Sequence, residues 1–390
     1  MCEKGWGVPQ DYAEAIRRYR EAAVQGYALA QHNLGAMYAN GRGVPQNYAE
    51  AARWYGKAAD QGHASAQNNL GVMYATGQGV PQDYVQAMRW YGKAAEQGLA
   101  SAQNNRGVMY ENGWGVPQDY PEAIRRYREA AAQGYAVAQY NLGNVYANGR
   151  GVSQDYAEAG RWYRQAADQG DSQAQYHLGD MYAMGQGVPQ DYAEAVQWFR
   201  KAGDQGDPGA QIYLGVMYEN GWGVPQNYAE AVPWYRKAAD QGHASAQTNL
   251  GHMYESGRGV PQDYAEAMRW YRRAAVQGDA IGQYSVGSMY ANGRGVPQDY
   301  AEAARWYRQA AEQGDAVAQS DLGSMYADGQ GVPQDYVQAH MWFSLAAARF
   351  LSSETEDRET AIRDRDRVAA KMTAAQIAEA ERLAREWKPK

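Results

Sequence analysis

The sequence predicts an all-α solenoid of helix-turn-helix repeats, and three periodic features indicate it. The glycine that opens the string Gly-Val-Pro-Gln recurs every 36 residues, ten times from Gly7 to Gly331, and Ser153 replaces proline in one copy. Apolar residues between these strings follow helical spacing, and an Asp or Asn precedes each second helix as a cap. A fixed period of this length indicates an array of units that bury their apolar faces only against their neighbours.

Residues 26–61 illustrate one unit. The segment 28–40 is predicted as its first helix, helix A, because four apolar residues lie there at helical spacing: Ala30, Leu34, Met37 and Tyr38. Gly41 is expected to end this helix in the left-handed conformation. Residues 43–45 are expected to form an extended connector, since the residue before proline avoids the helical region.

The second helix of the unit, helix B, is predicted to begin at a capping box. The Asn47 side chain should accept a hydrogen bond from the third helical residue, and Glu50 should reach back to the N–H of Asn47. All ten copies carry Asp or Asn at this cap and Glu or Gln three residues later. Helix B is expected to run to about Asp60. Its predicted buried stripe is Tyr48, Ala51, Tyr55, Ala58 and Ala59.

Each complete unit carries a glycine in the middle of helix A, from Gly35 to Gly323. A glycine at such a position costs about 1 kcal/mol relative to alanine. Nine such costs need a packing reason, and we expect helix A to approach an aromatic ring of helix B closely there. The tryptophans of helix B, such as Trp54, are expected to form a core stripe.

The unit A-x-A-Q-x-x-L-G-x-M-Y-x-x-G-x-G-V-P-Q-D-Y-x-E-A-x-x-W-Y-x-x-A-A-x-Q-G closely resembles the Sel-like repeat family, over residues 26–349. The resemblance implies a right-handed α/α superhelical solenoid that serves as an adaptor or binding scaffold. Some cysteine-rich relatives were described as β-lactamases, so a β-lactamase or cell-wall hydrolase is the alternative function. It is disfavoured, because Cys2 is the only cysteine and the S-x-x-K and K-T-G motifs are absent.

Three parts are expected along the chain: an incomplete half-repeat with helix B only at 1–25, nine repeats at 26–349 and a C-terminal helical cap at 350–390. Met1 aligns with Met109 inside a repeat, so one hypothesis is that the native product is longer and includes a signal peptide. The alternative is a natural half-repeat start that an end-to-end dimer covers. The compartment follows from this choice: cytoplasmic as written, periplasmic or extracellular if a signal peptide is missing.

The C-terminal cap is predicted as two helices. Residues 354–371 should form the first, with Ile362 and Val368 facing inward. Thr373 and Gln376 should open the second with a capping box. Its expected apolar stripe is Ile377, Ala380, Leu383 and Trp387.

Composition excludes several classes of partner. The net charge is −7, and without a basic run the chain is not expected to bind nucleic acid. No apolar run approaches the roughly 20 residues that span a bilayer. The six histidines show no ligand spacing, so neither a metal site nor a cofactor is expected. The partner is therefore expected to be a protein or a peptide.

The partner-binding surface is expected where the chain's own repeats differ. Helix A positions that recur on one helical stripe vary from unit to unit, while packing positions stay nearly constant. We interpret this stripe as a concave groove, and the competing interpretation is drift of solvent-exposed residues. The predicted groove residues are Tyr140, Asn144, Tyr176, Asp180, Ile212, His252 and Tyr284. Separate exposed contact points are expected at the loop tryptophans Trp6, Trp114 and Trp222.

Overall fold

Helices account for all the regular secondary structure in the described part of the chain, which comprises residues 11–351 and 354–389 of a computed structural model. The prediction of an all-α solenoid is confirmed, because each helix contacts chiefly the helices next to it in the chain. None of these helices is long and apolar enough to cross a membrane. The helices are α1 Tyr12–Val24, α2 Ala28–Asn40, α3 Tyr48–Asp60, α4 Ala64–Thr76, α5 Tyr84–Glu96, α6 Ala100–Asn112, α7 Tyr120–Ala131, α8 Ala136–Asn148, α9 Tyr156–Asp168, α10 Ser172–Met184, α11 Tyr192–Asp204, α12 Pro208–Asn220, α13 Tyr228–Asp240, α14 Ala244–Ser256, α15 Tyr264–Ala275, α16 Ala280–Asn292, α17 Tyr300–Gln313, α18 Ala316–Asp328, α19 Tyr336–Arg349, α20 Thr355–Ala369 and α21 Ala374–Glu386.

The helices fall into two compact groups, called the first and the second unit from here on, and each of them contains several 36-residue repeats. The first unit ends at Asp191 and contains α1 to α10, and the second begins at Tyr192 and contains α11 to α21. Even-numbered helices from α2 to α18 are the helix A of each repeat, and odd-numbered helices from α3 to α19 are the helix B. Within each unit, helix A and the following helix B form antiparallel neighbours joined by a seven-residue loop, as between Asn40 and Tyr48.

The cap that begins helix B also ties it to helix A. The Asn47 Oδ1 accepts a hydrogen bond from the backbone N–H of Glu50 at 3.0 Å, as predicted. The second half of the predicted capping box is wrong: the N–H of Asn47 donates to the Tyr38 carbonyl in helix A at 2.9 Å. The Glu50 Oε1 instead lies 3.4 Å from the Arg53 Nη1. The cap residue thus serves both helices of the repeat.

The loop between the helices needs both of its glycines. Gly41 ends α2 in the left-handed conformation with φ 66°, as predicted. The connector is not extended at Gly43, where the prediction is wrong, because φ is +73°. A Cβ at Gly43 would lie 2.7 Å from the carbonyl oxygen of Tyr12, so the loop packs directly on the start of the preceding helix B.

The mid-helix glycines lie under aromatic rings, as predicted. A Cβ at Gly71 would come within 2.7 Å of the Cδ1 of Tyr91, a separation that real Cβ atoms do not show. The same relation, with Tyr or Phe of the next helix B, holds at Gly35, Gly107, Gly143, Gly215, Gly251, Gly287 and Gly323. Close approach of the two helices therefore compensates for the low helix propensity of glycine.

The core of each repeat combines small apolar residues with large rings and one buried amide. Ala51, Tyr55 and Ala58 of the predicted stripe are buried, and so is Trp54, whereas Tyr48 is half-buried. The buried amide is the glutamine of the A-x-A-Q string in every repeat except the one with the half-buried Gln103. Gln67, for example, donates to the Ala59 carbonyl at 3.1 Å and accepts from the Gln97 side chain at 2.7 Å. Because an unpaired buried amide is costly, these bonds fix the spacing of successive repeats.

The C-terminal helix pair packs on α19. Val368 of α20 is buried in a cluster with Phe343, and Ile362 packs against a separate cluster that includes Ala346. At the start of α21 both halves of the capping box are present between Thr373 and Gln376. Trp387 lies edge-on to Trp342 with ring centroids 6.4 Å apart.

Candidate partner-binding surface on helix A

The predicted groove residues lie on the helix A face of both units. Tyr140 and Asn144 are on α8 and Tyr176 and Asp180 are on α10, all in the first unit. Ile212, His252 and Tyr284 are on α12, α14 and α16 in the second unit. Six of the seven are half-buried, and His252 is exposed.

Several stripe residues are not isolated on the surface, because they meet a residue 37 positions later in the next repeat. The His32 Nε2 lies 3.3 Å from the Asn69 Nδ2. Two asparagine pairs of the same spacing follow: the Asn105 amide donates to Asn68 at 3.0 Å, and the Asn141 amide donates to Asn104 at 2.8 Å. Part of the variation along the stripe is therefore a set of alternative bonds between repeats.

In the first unit, four rings from α8, α9 and α10 form one cluster around His177. The ring of Tyr163, a helix B residue, stacks on His177 at a centroid distance of 5.2 Å. Tyr140 lies at 5.8 Å from the same ring, with its hydroxyl 3.5 Å from the Nε2. Tyr176 contacts His177 edge-on at 5.3 Å. Sequence reasoning named both stripe tyrosines but missed His177, which follows Tyr176 directly.

Polar groups border this aromatic cluster. The Tyr163 hydroxyl donates to the Asn144 Oδ1 at 2.7 Å. Burial raises the pKa of the Tyr163 hydroxyl, and Tyr140 and Asp180 add to that rise. The four predicted residues of the first unit thus belong to one aromatic and polar patch that includes a histidine.

In the second unit, Tyr284 lines a pocket of about 300 Å³ on α16, α17 and α18. Its ring stacks on Tyr307 at a centroid distance of 5.4 Å, and its hydroxyl donates to the Asp321 carboxylate. Burial raises the pKa of Asp321 to about 6, against the lowering effect of the Tyr284 hydrogen bond. Sequence reasoning missed Asp321, and neither Ile212 nor His252 lines this pocket.

Two histidines near the start of the first unit also meet, although 31 residues separate them in the chain. The rings of His32 and His63 stack at a centroid distance of 4.8 Å. The His63 Nδ1 accepts from the backbone N–H of Ala66 at 3.2 Å, which caps α4. Burial lowers the pKa of His32, and the neighbouring His63 lowers it further. Residues 11–351 and 354–389 contain no group of three or more His, Cys, Asp or Glu placed to hold a metal ion.

The loop tryptophans are half exposed, with one face covered. Trp114 is 41% exposed and stacks on Tyr84 at 5.4 Å, and Trp222 is 45% exposed and stacks on Tyr192 at 5.6 Å. In another copy of the loop an arginine takes this place, with Arg258 lying 5.4 Å from a tyrosine ring. In these copies the side chain holds its loop on the preceding helix B. The equivalent Trp6 lies outside the described residues.

Comparison with known proteins decides the family. The family model named Sel1 repeat matches ten consecutive segments that cover the chain from 1–27 to 316–349. The chain belongs to the Sel1 repeat family. This Sel1 repeat protein is 34% identical to c5321, a protective antigen of uropathogenic Escherichia coli strains with the same type of fold; the match covers 95% of this chain and 94% of that one, with a TM-score of 0.51.

A second solved structure agrees with this assignment. A Sel1 repeat protein of Oxalobacter formigenes is 37% identical over 78% of this chain and 88% of that chain, with a TM-score of 0.59. No curated protein matches the chain. The Sel1 repeat fold is typical of protein-interaction scaffolds, since stacked repeats offer extended surfaces to partners.

Proposed function

We propose that this Sel1 repeat protein is a non-enzymatic scaffold that binds a protein or peptide partner along its helix A surface. One observation carries the proposal: half-buried aromatic and polar clusters occur on helix A of each unit, at the positions where the repeats differ most. Helix B and the loops repeat almost unchanged because they build the array. The variable helix A positions are those that can distinguish one partner from another.

The chemistry of the clusters supports binding. Tyrosine contributes a large contact area, loses little conformational entropy on binding and keeps a polar hydroxyl at its tip. Tyr140, Tyr176 and Tyr284 all present such rings in partly exposed positions. The net charge of −7 favours a partner other than nucleic acid.

Affinity capture with the full chain as bait tests the proposal. The double variant Tyr176→Ala with Tyr284→Ala removes one ring from each unit, and we expect it to lose its partner. The matched control, Tyr27→Ala with Val276→Ala, also removes one exposed apolar side chain from each unit, since Tyr27 is 63% and Val276 is 76% exposed. Far-UV circular dichroism checks that both variants remain helical.

Two results would contradict the proposal. The first is a Tyr176→Ala, Tyr284→Ala variant that captures every partner in wild-type amounts. The second concerns the absence of catalysis: turnover of the β-lactam nitrocefin by the purified protein, abolished by one point substitution, would make the chain an enzyme.

A further inference from the structure

The pocket on α16, α17 and α18 of the second unit combines tyrosine rings with a carboxylate. Its volume is about 300 Å³, enough for one side-chain head group. The residues that give it its chemistry are Tyr284, Ser288, Tyr300, Tyr307, Asp321 and Ser324. Tyr300 is partly exposed, whereas Tyr307 is buried, so the rings extend from the rim of the pocket to its floor.

The charge in this pocket is negative. Within the described residues, the groups that act on the Asp321 carboxyl are the Tyr284 hydroxyl and the Asp315 carboxylate, and neither is basic. Glu255 adds a negative field at Tyr284, although it is paired with Arg294 at 3.3 Å. A partly buried carboxylate is costly without a cationic partner, and the rise in the pKa of Asp321 reflects that cost.

Comparison of the repeats shows that the array does not need this charge. Tyr284 and Asp321 form one of the pairs of residues 37 positions apart, and Asp321 is the later residue of its pair. The other pairs join neutral side chains. Across the nine repeats this place is aspartate once and asparagine five times, at Asn33, Asn69, Asn105, Asn141 and Asn249. An asparagine supplies the bond between repeats, so the carboxylate here requires a different explanation.

We propose that the pocket receives one cationic head group, the ammonium or guanidinium of a lysine or arginine side chain of the bound partner. The carboxylate supplies a charge-assisted hydrogen bond. Tyrosine rings attract a cation that lies over their faces. The inference rests on the proposed scaffold function and specifies the chemistry of the partner at this site.

The test needs no partner protein. The full chain is labelled with ¹³C at the methionine methyl groups and titrated at pH 7.5 with Nα-acetyl-lysine methylamide, Nα-acetyl-arginine methylamide or the neutral Nα-acetyl-norleucine methylamide. Met325 lines the pocket and reports occupancy by NMR, and Met73, at the equivalent place in a repeat with Asn69, is the internal control. We expect both cationic probes to shift the Met325 signal saturably and the neutral probe to leave it unchanged.

Two matched variants separate the pocket charge from the general charge of α18. Asp321→Asn should weaken binding of the cationic probes about tenfold or more, since a charge-assisted hydrogen bond is lost. Asp328→Asn removes an exposed carboxylate from the same helix, and we expect binding unchanged within about twofold because surface charges contribute little. Both changes introduce a residue that other repeats already carry at that place, such as Asn69 and Asn292.

Three results would overturn the inference: no saturable shift of Met325, an equal shift with the norleucine probe, or wild-type affinity in Asp321→Asn. None of these bears on whether the helix A surface captures a partner. Conversely, a responsive pocket in a protein whose Tyr176→Ala, Tyr284→Ala variant keeps every partner would overturn the scaffold proposal alone.

Discussion

A pair of glycine-to-alanine substitutions in neighbouring helices tests the packing argument directly. Gly71 lies in the middle of α4 under the ring of Tyr91, whereas Gly92 lies in α5 with no atom within 4 Å of the place where a Cβ would be. Both positions are helical, so alanine improves the backbone propensity equally at each. Only the surroundings of the new methyl group differ.

The structure sets the sign and the size of both effects. At Gly92 the methyl group enters open space, and Gly92→Ala should stabilise the protein by about 1 kcal/mol. At Gly71 it would lie 2.7 Å from two ring carbons of Tyr91 and 3.3 Å from the Ala87 carbonyl oxygen. The Tyr91 ring is only 4% exposed and has no room to move aside. Overpacking of this kind costs about 1–3 kcal/mol, so Gly71→Ala should be up to about 2 kcal/mol less stable than the wild type after the propensity gain of about 1 kcal/mol, and about 1–3 kcal/mol less stable than Gly92→Ala.

Urea unfolding followed by far-UV circular dichroism measures the difference between the two variants. Because arrays of repeats do not always unfold in one step, hydrogen exchange of the α4 and α5 amides should accompany it. We expect protection in these helices to fall in Gly71→Ala and to rise in Gly92→Ala. If Gly71→Ala proves as stable as Gly92→Ala, or more stable than the wild type, the ring does not impose the glycine.

Three further predictions concern polar groups within the array. Burial raises the pKa of Asp321 to about 6, so this group favours folding at low pH and its contribution is lost as the pH rises through 6. Asp321→Asn should therefore be more stable than the wild type at pH 7.5, by up to roughly 3 kcal/mol. The difference between the urea midpoints of the two proteins should close towards pH 4. The lowered pKa of His32 has the opposite effect: its contribution to wild-type stability falls as the pH drops from 7.5 to 5, against the gain from Asp321. In the same assay His32→Asn should therefore gain more stability, or lose less, than the wild type over that range, and an equal change in both proteins would exclude a contribution from His32. Glu111→Ala removes the acceptor that lies 2.5 Å from the buried Tyr127 hydroxyl and should cost about 1–3 kcal/mol in thermal unfolding, part of which Tyr127→Phe should restore.

Local signals in the sequence were enough to predict where the helices of a repeat begin and end, and that an aromatic ring covers the mid-helix glycine. Asn47 marks the start of helix B and Gly41 the end of helix A because capping and left-handed backbone are local properties of the chain. The mid-helix Gly71 indicated a ring overhead because only close approach of two helices explains such a residue. The cap recurs in ten copies and the mid-helix glycine in nine, so one local argument extends along the whole array.

Which side chains of different repeats meet became visible only in the folded array. The stripe tyrosines were predicted, but His177 and Asp321 were not, because contacts across the array join residues 37 positions apart in a 36-residue repeat. That one-residue offset depends on how far each helix A is shifted along its neighbour, which no local signal encodes. The stacking of His32 on His63 was not predicted for the same reason. The N–H of Asn47 was predicted to donate to Glu50, whereas it donates to the Tyr38 carbonyl in the preceding helix.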